Sequence, residues 1–123
     1  MSLPRTPDVE LSAIKWLQTG LSVFVSDQRP SELPERFVVV ERAGGPEPSD
    51  IVIFHPRLAV QAWGVEKGDA FRLASAVQNS FTEWEGHGIL AVRPTEPVFF
   101  PDSETERPRY IFTVSLDVMG DFS

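Results

Sequence analysis

From Tyr110 to Val118 two sets of side chains alternate without a break: Tyr110, Phe112, Val114, Leu116 and Val118 against Ile111, Thr113, Ser115 and Asp117. A period of two sends successive side chains to opposite faces of a strand, so this segment commits the chain to a β-sheet. The run Arg36-Phe37-Val38-Val39-Val40-Glu41-Arg42 predicts a second strand, rich in β-branched residues and buried on both faces, which Gly44-Gly45-Pro46 ends. Arg57 to Trp63 predicts a third, with Leu58, Val60 and Ala62 on one side and Ala59, Gln61 and Trp63 on the other. Shorter strands are expected over Leu21–Ser26, Ile89–Arg93 and Pro97–Phe100.

A sheet needs cover, and two helical stripes supply it. Val9, Ala13, Trp16 and Leu17 fall at helical spacing after the start signals Pro7 and Asp8 and before Gly20. Between Val65 and Trp84, Ala70, Leu73, Ala74, Val77, Phe81 and Trp84 repeat in steps of three and four. With no regular βαβ alternation, this order predicts one α+β domain over residues 1–123. Its mainly antiparallel sheet of four to six strands packs against two helices. Ile51-Val52-Ile53-Phe54 is ambiguous: a short extra strand, or a loop whose apolar residues another subunit covers.

Composition excludes several functions. The chain has no cysteine, which removes disulfides, thiolate nucleophiles and sulfur-rich zinc sites. A net charge of −7 with scattered basic residues, Arg36 near Arg42 and Arg107 near Arg109, disfavours a nucleic-acid surface. No run reaches the roughly 18–20 apolar residues of a membrane helix. The opening MSLPRTPDVE lacks a secretion-signal pattern, so a cytoplasmic protein is expected. His87 sits between two glycines in a turn and His55 precedes a proline; both read as loop histidines at the ends of elements, outside any catalytic motif. Glu83 and Glu85, two residues apart on a helix, do not converge. Gly44-Gly45-Pro46 lacks the lysine and the following helix of a phosphate loop. No enzymatic activity, cofactor or metal is expected.

Two runs then carry a resemblance. Leu33-Pro34-Glu35-Arg36-Phe37-Val38-Val39-Val40-Glu41-Arg42-Ala43-Gly44-Gly45 and Pro97-Val98-Phe99-Phe100-Pro101-Asp102, continued through Arg107-Pro108-Arg109-Tyr110-Ile111-Phe112-Thr113-Val114, resemble segments of tail terminator proteins. These proteins belong to long-tailed actinobacterial phages and prophages. A strand ending in Trp63, a long amphipathic helix and a glycine-rich turn stand between the runs in the family's order, so the resemblance spans most of the chain.

The resemblance implies a subunit that assembles with itself into a ring, a hexamer, at the head-proximal end of the tail tube. The ring ends polymerisation of the major tail tube protein, meets the head completion protein, and lets DNA through its lumen without specific binding. Its place is the host cytoplasm during assembly and then the virion. A closed ring needs two different patches per subunit. Candidate contact residues are Arg36, Arg42, Ile51, Ile53, Phe99, Phe100, Asp102, Glu104, Arg107 and Arg109. Phe99 and Phe100 should face opposite sides, one entering the core and the other reaching a neighbour. The acids Asp102, Glu104 and Glu106 beside Arg107 and Arg109 form either a charge-complementary contact or an ordinary solvated hairpin. The alternatives are a head completion or neck adaptor protein, another minor tail protein, or a small ligand-binding or hydrolytic domain using His55, His87, Asp50 and Asp102.

Overall fold

The computed structural model describes residues 7–46, 53–86 and 88–120. In chain order these form α1 (Val9–Gly20), β1 (Phe24–Ser26), β2 (Phe37–Arg42), β3 (Ile53–Phe54), β4 (Arg57–Trp63), α2 (Lys67–Thr82), β5 (Ile89–Pro94), β6 (Val98–Phe99) and β7 (Arg109–Met119). The expected α+β class is present, with the sheet packed against two helices.

Seven strand segments occupy only five positions across the sheet. Ile53 faces Met119 and Arg57 faces Ser115, four residues along on each side, so β3 and β4 share one unbroken register against β7. On the other edge of β7, β5 and β6 follow one another with a one-residue shift between them, and β5 carries a second shift at Leu90. Across the sheet the order is therefore β1, β2, β3/β4, β7, β5/β6. Every pairing is antiparallel except β1 with β2, which is parallel. The ambiguous tetrad contributes Ile53 and Phe54 as a short strand; Ile51 lies outside the described residues.

Alternation decides what each face does. Phe112, Val114, Leu116 and Val118 of β7, with Leu58, Val60 and Ala62 of β4, join the main core under the helices. The apolar run of β2 is buried on both faces. Val38 and Val40 enter that core, while Phe37 and Val39 form a smaller cluster with Trp63 on the opposite face. The α1 stripe buries Val9, Ala13 and Leu17, and Asp8 caps the helix by accepting from the Leu11 backbone N–H at 3.1 Å. Trp16 is half-buried and donates its indole N–H to the Ser80 carbonyl of α2 at 2.9 Å, joining the helices. The α2 stripe buries the expected Ala70, Leu73, Ala74, Val77 and Phe81, and Trp84 is buried just past its end.

Gly64 ends β4 where a Cβ would lie 2.6 Å from the Ala70 backbone nitrogen. That contact is backbone, so Gly64→Ala should force α2 away from β4 and lower the melting temperature. Among the described residues no polar or charged side chain is buried. Likewise, no described helix is long and apolar enough to cross a membrane. Phe81, fully buried between α2 and β7, touches both Trp84 and Phe112. Replacing it with Ala should destabilise the fold by about 3–5 kcal/mol in equilibrium denaturation.

Candidate functional site

Helices cover one face of the sheet, and the opposite face carries a ladder of stacked side chains. Phe37 pairs with Trp63 across β2 and β4, and Trp63 pairs with Arg109 across β4 and β7. Paired residues share a face, so the three groups meet. The Phe37 and Trp63 rings stack with centroids 4.8 Å apart, and the Arg109 guanidinium lies 5.1 Å from the Trp63 ring and 5.4 Å from that of Phe100. Arg109 also donates from Nε to the Phe100 carbonyl at 2.9 Å. Gln61 Oε1 accepts from Trp63 Nε1 at 3.1 Å. The ladder begins on a fully buried ring and ends on Phe100, which is 55% exposed.

Beside Phe100 runs an open groove of about 400 Å³, lined by Ala59, Gln61, Thr95, Glu96, Val98 and Ile111 among others. Its outer wall is held in place. Thr95 donates its backbone N–H to the Thr113 carbonyl at 2.8 Å, accepts the Thr113 N–H on its hydroxyl at 2.9 Å, and offers its carbonyl to Gln78 Nε2 at 3.1 Å. Val98, 58% exposed, projects over this groove. An exposed aromatic stacked under arginine beside an apolar groove has the composition of a protein–protein contact.

Phe99 and Phe100 do face opposite sides, as their adjacency requires, but neither enters the core. Phe99 packs at the helix-side rim, 5.3 Å from the Tyr110 ring and beneath Lys67 Nζ at 4.4 Å, and stays 37% exposed. The short β6 lies at the outermost strand position, where the sheet offers no further neighbour to cover either ring.

The charged loop is organised within the subunit. Arg29 pairs with Asp102 at 3.3 Å and Glu104 at 3.0 Å. Asp102 also accepts from the Thr105 hydroxyl at 2.7 Å and the Thr105 N–H at 2.9 Å. Those two bonds, the hydroxyl first, hold its carboxyl below the usual carboxylate range, with Arg29 and Arg109 adding to the effect. Arg107 donates to the carbonyls of Gly64, Pro34 and Glu35 at 3.0, 3.0 and 2.7 Å. Together these contacts tie the 27–35 connection to the 101–108 loop. Arg42 is anchored too, donating its side chain to the Pro7 carbonyl and its backbone N–H to Glu10. Arg36 is exposed, Ile53 is half-buried opposite Met119, and Asp50 and His87 lie outside the described residues.

At the far end of the same face, about 27 Å along β7 from Arg109, His55 and Asp117 stand opposite each other. His55 Nδ1 and Asp117 Oδ1 are 2.7 Å apart, and Arg93 clamps both carboxylate oxygens at 2.9 and 3.2 Å. The bonded Arg93, then the bonded His55, hold the Asp117 carboxyl below its usual range, and the same contact raises the Arg93 guanidinium. A carboxylate only accepts, so His55 presents its Nδ1–H to it. Such a pair fixes an imidazole's orientation, a part of hydrolytic sites that by itself performs no reaction. The sequence places His55 in a loop before a proline and does not show the partner 62 residues away. The available signal was Asp117 in the polar half of the β7 alternation.

Arg109→Ala should cost about 1–2 kcal/mol in denaturation and alter the near-ultraviolet signal of Trp63. Asp117 has a lowered folded pKa, so its stabilisation is present above the unfolded value of about 3.9 and lost as pH falls through the folded one. Melting temperatures of Asp117→Asn should therefore fall less steeply than those of the parent as pH drops through and below about 3.9.

No protein-family model matches this chain, and no curated protein is significantly similar to it in sequence.

Proposed function

We propose that this chain is a structural tail subunit, a tail terminator, that assembles as a ring on the head-proximal end of a phage tail tube. The ring blocks further addition of tube protein and offers its free side to the head completion protein. Its action is steric and interfacial, with no bond chemistry and no cofactor. Assembly takes place in the host cytoplasm, and the virion is the final location.

The observation that supports this reading most is the ladder ending on Phe100. Its members come from the segments that carry the resemblance: Phe37 from the first run, Phe100 and Arg109 from the second, and Trp63 from the strand between them. Arg107 bonds to Pro34 and Glu35, joining the same two runs. Those runs therefore share one surface feature, an exposed aromatic on a rigid support, which is suited to binding another folded protein. The net charge of −7 fits a lumen that DNA passes through without adhering.

A hydrolytic domain is the second reading, favoured by the His55–Asp117 pair alone. Replacing His55 and His87 together with Ala should leave assembly intact and would abolish a histidine-dependent activity.

The deciding experiment measures mass in solution across concentration and salt, images the particles by negative stain, and then adds purified tail tubes. Sixfold rings and binding at tube ends are expected, with tube elongation stopped. Failure to bind tube ends would overturn the reading, whereas binding to the head connector alone would favour a neck adaptor.

A further inference from the structure

We infer that the two edges of the sheet are complementary halves of one head-to-tail contact, so that the β1 edge of one copy receives the β6 edge of a second copy. The inference rests on the ring reading above and assigns the surfaces that reading leaves open. The edges lie at opposite ends of five strand positions, about 19 Å apart. Each is apolar on both sides. At the first edge, Phe24 projects from β1 on the face of its partner Phe37, and Leu11 projects from the adjoining α1; each is 48% exposed. At the second edge, Phe100 and Val98 lie on the open face and Phe99 on the helix side.

Charge distinguishes the two edges. A groove of about 430 Å³ between α1 and β1 contains Asp8, Glu10 and Asp27 as its charged residues, all acidic. At the β6 edge the cations stand on the aromatic rings themselves, Lys67 over Phe99 and Arg109 over Phe100, with Glu96 farther along the groove. An acidic apolar edge and a cation-bearing aromatic edge attract each other, while each repels or leaves unpaired a copy of itself. The pairing is therefore heterologous, the kind that closes into a ring when its rotation permits.

The test uses the intact chain with Phe24→Glu and Phe100→Glu, each checked for folding by circular dichroism, with Leu11→Glu as the substitute should the first not fold. Each variant loses one edge and keeps the other. Sedimentation should show both variants as monomers at concentrations where the parent assembles, with half-assembly shifted by about 30-fold or more. Mixed in equal amounts, they should form a dimer and nothing larger, because Phe100→Glu retains the β1 edge and Phe24→Glu retains the β6 edge. Asp27→Lys should weaken that dimer, and Lys67→Glu on the opposite partner should restore it. A parent that forms rings while both variants still form them would overturn the assigned surfaces and leave the ring reading standing. The mixed dimer without any binding to tube ends would support the surfaces and overturn the terminator reading. A parent that stays monomeric at every concentration, alone and with tubes, would overturn the contact itself.

Discussion

Four strand segments hydrogen-bond to β7, with β3 and β4 along one edge and β5 and β6 along the other. All of them read their register from one strand, so the alternation of β7 propagates through the sheet. A slip of one residue would move Phe112, Val114, Leu116 and Val118 out from under the helices and put Thr113, Ser115 and Asp117 beneath them. The cost of exposing four large apolar groups, at about 1.5–3 kcal/mol each, fixes the register. The irregularities fall where that constraint is weakest. Both one-residue shifts lie in the outermost strands β5 and β6, where no further strand has to follow the bend.

The same alternation that builds the core prepares the open face. Two helices suffice to cover one side of five strand positions, and the other side receives a shorter cover, the stack of Phe37, Trp63, Arg109 and Phe100. Its order across the strands matters. The buried Phe37–Trp63 pair supports the guanidinium, which in turn stacks on the exposed Phe100 ring and bonds to that residue's carbonyl. Ordering a side chain in advance removes part of the entropy cost of a later contact. In the proposed role, the same four residues would serve both the fold and the contact.

Periodicity made the main elements legible. The bounds of β4 and the buried sets of α2 and β7 follow from side-chain spacing, because burial on one face leaves a period in the sequence. Strand order leaves no such trace. The parallel pairing of β1 with β2 requires the 27–36 connection to return the chain to the start of β1, and β3 and β4 share a register through a Pro56 that reads as a break. The charged groups were the least legible. Arg29, Arg107 and Asp117 find partners 73, 73 and 62 residues away among other contacts, separations at which neighbouring letters carry no information. Asp102 and Glu104 pair within the subunit with Arg29, a cation far from them in sequence, and not with the adjacent Arg107 and Arg109 beside which the sequence sets them.

A sheet with uncovered apolar edges ordinarily invites further strands, and the sequence resists that at both ends. β1 has three residues, too few to template a long addition, and the β5/β6 edge is interrupted by Pro94, Pro97 and Pro101, each lacking a backbone donor. The apolar groups left for any contact at these edges are side chains, Phe24 and Leu11 at one edge and Val98, Phe99 and Phe100 at the other. Whichever groups make it, a head-to-tail contact closes into a ring when its rotation permits and otherwise propagates as a filament. The prolines of the β5/β6 edge thus remove the backbone route to unlimited strand addition without touching the core.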